Sequence, residues 1–390
     1  MKLFQHLLIA PAALGLFAPM AANATDVNLN DISNYYPESE LEINSDTFKS
    51  SSASKSLLIS GGEGLVSSEP EGSFSSTTTA SFSVDMLLGA VDGQVGTSDD
   101  TNEEKLSASY GYQIDLSTSF TGENSLDVSI DAGTLAAGTT LDELDLNSGG
   151  DSLALDGVSY TFPLGDKITA FVGDNMDGST LYSTACVYGG VTTTLDDCGN
   201  ASSAMAAGFG TAAGASIDIG NGFTGAIGYE GQGSTTSGLL TKEGLDSYGA
   251  QLSYAADQYG ASVTYNVTET SSTAETTYWG LNGYWTPSET GSFPSISVGY
   301  ETGDPSGTAA DTEHYFVGLQ WDEIGPGTLG VAAGTADPVA DNATELMRYE
   351  AFYAYPVNDS LTVTPIIFIE EKSGTTEDLT GVAVKASFSF

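Results

Sequence analysis

The last twelve residues of the chain, 379–390, read LTGVAVKASFSF and constrain the fold more than any other stretch. Side chains along a strand alternate between its two faces, so Val384, Phe388 and Phe390 fall on one face, whereas Lys385 and Ser389 fall on the other. One face therefore carries apolar side chains, and the other carries mostly small or polar ones. That pattern is typical of a sheet closed on itself, with lipid outside and water inside.

The same alternation recurs along the chain and predicts about sixteen strands. They span residues 77–90, 105–120, 125–135, 153–162, 167–173, 207–219, 222–230, 246–255, 258–267, 275–286, 293–301, 313–322, 328–334, 347–355, 360–370 and 379–390. Short turns alternate with long, polar, acidic loops between them. The sequence therefore predicts an all-β fold, a transmembrane antiparallel β-barrel with short periplasmic turns and long extracellular loops.

Basic residues are few and fall where such a barrel requires them. The chain holds 9 Lys and Arg against 52 Asp and Glu. The bases inside predicted strands all lie on the face opposite the apolar series: Lys105, Lys167, Arg348 and Lys385. A base that faces lipid at mid-membrane costs roughly 2–4 kcal/mol, so an accidental pattern would misplace some of them. The acidity also argues against nucleic acid as a partner and favours cations.

Aromatic residues on the apolar face flank the predicted connections. Beside short turns they are Phe120, Phe162, Phe223, Tyr254, Tyr259, Trp285, Trp321, Tyr355 and Phe390, and beside long loops Tyr229, Tyr248, Tyr265, Trp279, Tyr300, Tyr315 and Tyr349. Two aromatic belts suit the two interfaces of a membrane. The alternative is a soluble β-sandwich or adhesin with an aromatic core, whose strands would be shorter and whose hairpins would be less asymmetric in loop length.

The first 24 residues have the composition of a secretory signal peptide. Lys2 precedes an apolar run, and Ala22-Asn23-Ala24 forms a small-residue cleavage site, so we expect cleavage after Ala24. Residues 25–76 are Ser-rich and weakly patterned, which indicates a poorly structured periplasmic lead-in. The barrel is predicted over residues 77–390. No later run reaches the roughly 18 apolar residues that a membrane helix needs.

Four segments resemble cyanobacterial outer-membrane porins, relatives of the carbohydrate-selective porins. They are YTFPLGD at 160–166, the long stretch at 278–297 that contains YWGLNGYWTP, FVGLQWD at 316–322 and VKASFSF at 384–390. The resemblance implies a passive channel for small hydrophilic solutes and inorganic ions, usually a homotrimer. It also implies the outer membrane of a Gram-negative-type bacterium, with lipid and lipopolysaccharide as neighbours. The surface-layer-homology domain and coiled coil of that family have no counterpart in residues 25–76, so wall anchoring is not carried over.

Sixteen strands leave an aqueous lumen, and acidic residues are expected to line it. By analogy with general porins, the third external loop, from Asp174 to Ala206, is expected to fold inward and narrow the pore. Its constriction residues would be Asp174, Asp177, Asp196 and Asp197. The lumen-facing charges would be Asp85, Asp115, Asp127, Asp131, Arg348, Glu350, Glu370 and Lys385. Acidic rings select cations, so the sequence predicts a cation preference. The alternative is that the loop acids only solvate the exterior.

The remaining reactive side chains indicate structural roles rather than catalytic or metal-binding ones. Cys186 and Cys198 are the two cysteines of the chain and are expected to form a disulfide in an oxidising compartment. A metal site is the alternative, although a Cys pair alone is incomplete. His314 is expected at the surface, and Arg348 is placed to pair with Glu350. No catalytic residue, metal or cofactor is predicted. Beside a passive porin, a substrate-selective carbohydrate or iron channel and a surface adhesin stay open.

Overall fold

The computed structural model describes residues 77–93, 105–135, 141–144, 146–147, 150–200, 207–233, 238–289, 291–373 and 377–390. The predicted signal peptide at 1–24 and the predicted lead-in at 25–76 lie outside these residues. Across the described ranges, no helix has the length and apolar character required to span a membrane.

The described residues form one antiparallel sheet of seventeen strands, of which one is only two residues long. In chain order they are β1 Thr78–Asp92, β2 Ser107–Thr118, β3 Ser125–Gly133, β4 Ala154–Pro163, β5 Ile168–Asp174, β6 Thr211–Gly220, β7 Phe223–Gly231, β8 Asp246–Ala255, β9 Tyr259–Ser271, β10 Ala274–Trp285, β11 Ser295–Pro305, β12 Thr312–Ile324, β13 Gly327–Thr335, β14 Val339–Ala340, β15 Met347–Asn358, β16 Leu361–Glu370 and β17 Leu379–Ser389. A 3-10 turn at Asp142–Leu144 and a short helix α1 at Thr193–Asp196 lie in the connections.

The sheet closes because β1 pairs with β17 as well as with β2. Ser83 lies opposite Ser389 and Asp92 lies opposite Thr380. Each of the sixteen long strands thus has a partner on both sides, and β14 adds a short pairing to β12. The predicted closed barrel of sixteen antiparallel strands is confirmed.

Some strand limits differ from the predicted ones for local reasons. β6 begins at Thr211 rather than 207, because Gly208 and Gly210 adopt positive φ values of 70° and 101° that a strand cannot continue. β9 extends to Ser271 and meets β10 in a tight hairpin where a long loop was expected. Lys105 and Lys167 lie just before β2 and β5 rather than inside them.

The outer face of the barrel is apolar. Met86 and Leu88 of β1 are 54% and 48% exposed there, although they alternate with buried residues of the same strand. Exposed aromatic side chains include Phe120, Phe223, Tyr259, Trp285, Tyr355 and Phe390 near the short turns, and Tyr248, Tyr265, Trp279 and Tyr349 toward the opposite end of the barrel. The barrel thus has a turn end and a loop end, each with exposed aromatic residues.

Two long connections at the loop end fold into the barrel. Loop 2 is described at residues 134–135, 141–144, 146–147 and 150–153 between β3 and β4, and loop 3 at residues 175–200 and 207–210 between β5 and β6. Loop 3 contacts strands as far apart around the ring as β7, at Gly228, and β15, at Glu350. A segment that touches distant strands of a closed ring must pass through its interior. The face that these loops contact is therefore the inner face.

The inner face carries an apolar cluster that the predicted aqueous lumen did not include. Its buried members come from loop 2, loop 3 and the wall formed by β12, β13, β15, β16, β17 and β1: Leu87, Val91, Leu135, Leu141, Leu144, Leu146, Tyr188, Val191, Leu195, Cys198, Phe316, Ala332, Phe352, Ile366, Phe368, Leu379 and Ala383. Burial of this much apolar area holds both loops against the wall. Part of the interior at the loop end is therefore packed protein rather than water.

Candidate functional site: the inner wall and its two loops

Polar side chains of the wall hold the backbone of loop 3. Backbone N–H groups of loop 3 donate to side-chain oxygens of β8, β11 and β12: Ser183 N to Gln251 Oε1 at 2.7 Å, Val187 N to Ser297 Oγ at 3.0 Å and Gly189 N to Gln320 Oε1 at 3.0 Å. The Asn282 side chain of β10 donates to the carbonyl of Cys198 at 3.0 Å. Loop backbone that enters a protein interior needs such partners, and the wall supplies them.

Glu350 of β15 is the strongest of these anchors. Its carboxylate accepts hydrogen bonds from the Tyr188 hydroxyl at 2.6 Å, from the backbone N–H groups of Val191 and Thr192 at 3.2 and 2.9 Å, and from the Thr192 hydroxyl at 2.5 Å. Glu350 is 3% exposed. The predicted ion pair between Arg348 and Glu350 is wrong, since loop 3 engages Glu350 instead.

Arg348 connects both loops to the wall. Its guanidinium donates to Glu143 of loop 2, to Glu370 of β16 at 2.5 Å, and to the Thr193 hydroxyl of loop 3 at 3.0 Å. Lys372 also pairs with Glu370. Arg348 is the only arginine of the chain and is 4% exposed. A planar guanidinium with five N–H donors suits a position that must serve several oxygens at once.

Glu143 is held in a half-buried setting by this contact. Burial raises the pKa of its carboxyl to about 6, and the nearby Glu370 acts in the same direction, whereas the charge of Arg348 opposes the rise. One arginine therefore neutralises two glutamates incompletely. The desolvation of Glu143 outweighs the attraction that it receives.

A disulfide closes the middle of loop 3. Cys186 and Cys198 are bonded, with their Cα atoms 6.4 Å apart. The closed segment contains Tyr188, Val191 and Thr192, which are the residues that bind Glu350. The bond thus restrains the part of loop 3 that is anchored to β15.

Two glycines let loop 3 approach the wall. A Cβ atom at Gly228 would lie 2.0 Å from the carbonyl oxygen of Gly178, and one at Gly299 would lie 1.8 Å from the carbonyl oxygen of Cys198. Cβ atoms do not approach backbone oxygens so closely in folded proteins. Only glycine fits at these two positions while loop 3 stays where it is.

We expect Gly299→Ala to displace loop 3 at Cys198 and to destabilise the protein by about 1–3 kcal/mol, the usual cost of overpacking. Gly283→Ala is the matched control, because a Cβ at Gly283 meets its nearest atom at 3.4 Å. Thermal unfolding of the two purified variants measures the difference. Equal melting temperatures would show that loop 3 does not rest against β11.

Two of the four predicted constriction acids are exposed side chains of loop 3. Asp177 and Asp197 are exposed on loop 3, whereas the side chain of Asp196 lies outside the described part of the structure. Asp174 corrects the expectation: it ends β5 on the outer-facing series of Val172, is exposed, and accepts a hydrogen bond from Thr211 Oγ1 at 2.9 Å. Strand alternation carries its side chain away from the lumen.

The inner faces of β1, β2 and β3 carry a ladder of carboxylates. Asp85, Asp115, Asp127 and Asp131 all keep partial exposure there. Asp115 accepts hydrogen bonds from Gln113 Nε2 at 2.9 Å and Ser129 Oγ at 2.7 Å. Asp127 accepts one from Ser125 Oγ at 2.7 Å. Below them Thr79, Ser81 and Ser83 are exposed on the same face of β1. We refer to this surface as the acidic wall.

The opposite wall is covered. Inner-face residues of β8 to β11 are buried although they are polar: Ser247, Gln251, Ser253, Ser262, Thr264, Asn266, Asn282 and Ser297. Several of them bond to one another or to loop 3, as in the 2.9 Å contact from Gln251 Nε2 to Thr264 Oγ1. The exposed strip of the inner face therefore lies along the acidic wall, next to Lys385 of β17, which is half-buried.

The predicted surface position of His314 is wrong. His314 is 1% exposed and lies on the inner-facing series of β12 with Phe316, and its Nδ1 contacts Thr335 Oγ1 at 2.8 Å. Its neighbours in the sequence, Glu313 and Tyr315, belong to the opposite face. Among the described residues, no group of three or more His, Cys, Asp or Glu side chains is placed to hold a metal ion.

Comparison with known proteins places this fold. No family model matches the sequence, and no curated protein matches it. The high-pH structure of Pseudomonas putida OprB superposes with a TM-score of 0.59 at 12% identity, covering 80% of this chain and 94% of that chain. The anion-selective porin from Comamonas acidovorans gives 0.57 at 12% identity, covering 80% and 99%.

A third solved structure has the same fold. The loop L8 deletion mutant of OmpT, an outer membrane protein of Vibrio cholerae, gives a TM-score of 0.55 at 10% identity, covering 80% of this chain and 99% of that chain. At these identities the likeness establishes the fold. Its structural neighbours include bacterial outer-membrane porins, and its barrel has the same fold as theirs.

Proposed function

We propose that this protein is an outer-membrane porin of a Gram-negative-type bacterium, which lets small hydrophilic solutes and inorganic ions diffuse passively. The fold of its structural neighbours supports this, and so does the apolar outer face with aromatic residues at both ends. The resemblance of residues 278–297 and 384–390 to cyanobacterial porins agrees with it. Arg348 and Lys385, the bases inside the strands, lie on the inner face.

The pore prefers cations in this proposal, and the acidic wall is the observation that carries it. Four aspartates stay accessible on β1, β2 and β3, whereas the polar inner-face residues of β8 to β11 are buried, several of them against loop 3. An anion-selective porin shares the fold, so the fold alone does not decide the sign of the preference. The aspartates on the accessible wall support a cation preference, because carboxylates attract cations and repel anions at close range.

Purified protein in a planar bilayer tests the proposal. Stepwise conductance is expected if the barrel is a pore. In a tenfold KCl gradient, the reversal potential should take the sign of a cation-selective pore and approach the limit of about 59 mV for a monovalent ion. Bilayers without steps would overturn the porin assignment, whereas steps with a reversal potential of zero or of opposite sign would overturn only the cation preference.

The resemblance to relatives of the carbohydrate-selective porins keeps a substrate-selective carbohydrate or iron channel as the second candidate. Addition of oligosaccharide to one side of the bilayer separates the two functions. A passive porin should show unchanged steps, whereas a binding channel should show concentration-dependent block. A surface adhesin would give silent bilayers.

We further propose that the mature protein starts after Ala24, contacts outer-membrane lipid and lipopolysaccharide, and assembles as a homotrimer. The resemblance supports each point. N-terminal sequencing of protein from outer-membrane fractions should begin at Thr25. Chemical crosslinking in the native membrane should give a product of three times the monomer mass.

A further inference from the structure

Loop 2 covers the loop end of the acidic wall. A Cβ at Gly111 would lie 3.2 Å from the backbone nitrogen of Asn147, and one at Gly89 would lie 2.9 Å from the Leu141 side chain. Leu87 and Val91 of β1 are buried at 2% and 1% exposure, whereas Ser81 and Ser83 on the same face are exposed. The position of loop 2 therefore decides how much of the wall solvent can reach.

One side chain ties that loop to the rest of the interior. Arg348 of β15 bonds to Glu143 in loop 2, to Thr193 in loop 3 and to Glu370 in β16. Its contacts thus join two loops that are far apart in sequence to a single point on β15, which lies four strands from β2 around the ring. Glu143 and Glu370 approach the same guanidinium nitrogen from two elements.

We propose that Arg348 is a positioning residue that latches loop 2 to loop 3, and that this latch sets the width of the pathway along the acidic wall. The inference rests on the proposed porin function. Without the guanidinium, Glu143 and Glu370 would face each other in a poorly solvated space with Lys372 as the one neighbouring positive charge, and their repulsion would favour release of loop 2 from the lumen. The apolar contacts of Leu141, Leu144 and Leu146 would be lost with it.

Arg348→Met tests the latch. The methionine fills a similar volume but carries no charge and no donor, so the single-channel conductance and the frequency of transitions to wider states should both rise. Lys242→Met is the matched control, because it removes one positive charge from an exposed position in the connection between β7 and β8. Its conductance should stay within the scatter of the wild type.

A designed crosslink gives a readout that needs no channel activity. A Cβ at Gly111 would lie 3.4 Å from the Cβ of Asn147, close to the spacing of a disulfide. Gly111→Cys with Asn147→Cys should therefore crosslink under mild oxidation, with peptide mapping to exclude exchange with Cys186 and Cys198. Adding Arg348→Met should lower the crosslinking rate several-fold. Once crosslinked, the triple variant should regain the conductance of the wild type.

The pH dependence gives a second, independent readout. The charged groups that face Glu143 are Arg348, Glu370 and Lys372. The pKa of Glu143 is raised to about 6 where loop 2 is latched. A released, solvated Glu143 would have its ordinary lower pKa. The latched state therefore binds the proton more tightly, and its population increases as pH falls. The ratio of latched to released states should therefore rise several-fold from pH 7 to pH 5.

Transitions to wider states should accordingly become rarer at pH 5, and Glu143→Gln should abolish that change. Failure of the cysteine pair to crosslink would overturn the inward position of loop 2. Unchanged conductance and crosslinking rate in Arg348→Met would overturn the latch and leave the porin assignment intact. Silent bilayers with normal crosslinking would overturn the porin assignment and leave the latch intact.

Discussion

Replacing the four aspartates of the acidic wall with asparagine is expected to remove most of the cation preference. The quadruple variant is D85N, D115N, D127N and D131N. A monovalent ion about 4 Å from one carboxylate gains about 1 kcal/mol in water, and all four lie on three neighbouring strands. Since 1.4 kcal/mol corresponds to a factor of ten, the ratio of cation to anion permeability should fall about tenfold or more. Reversal potentials in a KCl gradient measure it.

The replacement is conservative in shape and hydrogen bonding. Asparagine still accepts at Oδ1, so the contacts of position 115 with Gln113 and Ser129 can persist. Conductance at high salt should stay near that of the wild type, because the pore keeps its width and screening hides the charges. A large loss of conductance at every salt concentration would indicate a structural change instead.

A variant with the same change in net charge serves as the control. Four exposed aspartates near the loop end can be replaced together: D304N, D311N, D337N and D341N. They lie in or beside the connections that follow β11 and β13. If this variant loses as much cation preference as the acidic-wall variant, the preference comes from the whole external charge. The acids of the inner wall would then have no special role.

The barrel could be predicted from the sequence because each strand places one face toward lipid and the other toward the interior. Along β17, the alternation of Val384, Phe388 and Phe390 with Lys385 and Ser389 is local, so no knowledge of partners is needed to assign each face. The turns between β6 and β7 and between β8 and β9 are equally local. Each strand prediction was independent of the others, and the closed ring followed from their number and connection lengths.

Where the interior is packed, the strands do not alternate between apolar and polar residues. The sequence does indicate this packing. Residues 366–369 of β16 read IIFI, and residues 86–88 of β1 read MLL, so both faces are apolar there. A continuous apolar run is typical of a strand buried on both sides. The leucines at 141, 144 and 146 in an acidic loop are the complementary signal. Together they indicate that loop 2 packs against the wall.

The contacts that fix the loops could not be predicted in this way. Glu143 and Arg348 are separated by 205 residues, and Tyr188 and Glu350 by 162. Sequence spacing favoured a pair between Arg348 and Glu350, which share a face of β15. It could not show that loop donors would occupy Glu350 first, because that depends on the path of loop 3 across the barrel. The prediction for Asp174 was wrong for a more local reason: alternation along β5 puts the side chain at this position on the outer face of the strand.

Glu350→Ala is expected to release loop 3 and to produce the largest change in stability of any single replacement at the site. The substitution leaves four donors of Tyr188, Val191 and Thr192 without their acceptor. Each unsatisfied buried donor costs about 1–3 kcal/mol, so the anchored state should lose about 3 kcal/mol or more. Because the barrel strands keep their own hydrogen bonds, the loop should detach before the barrel unfolds. Single-channel conductance should rise, and protease should cut within residues 175–210.

Tyr188→Phe distinguishes the contribution of the hydrogen bond to Glu350 from that of ring packing. It removes one donor and keeps the ring, which lies 5.5 Å from that of Phe316 and 5.9 Å from that of Phe352 between centroids. The expected loss is about 1 kcal/mol, the net worth of one hydrogen bond, with conductance close to the wild type. A graded series, with Tyr188→Phe small and Glu350→Ala large, would show that the carboxylate holds loop 3. If both variants behave alike, the ring contacts and the disulfide hold the loop, and Glu350 is incidental to the width of the pore.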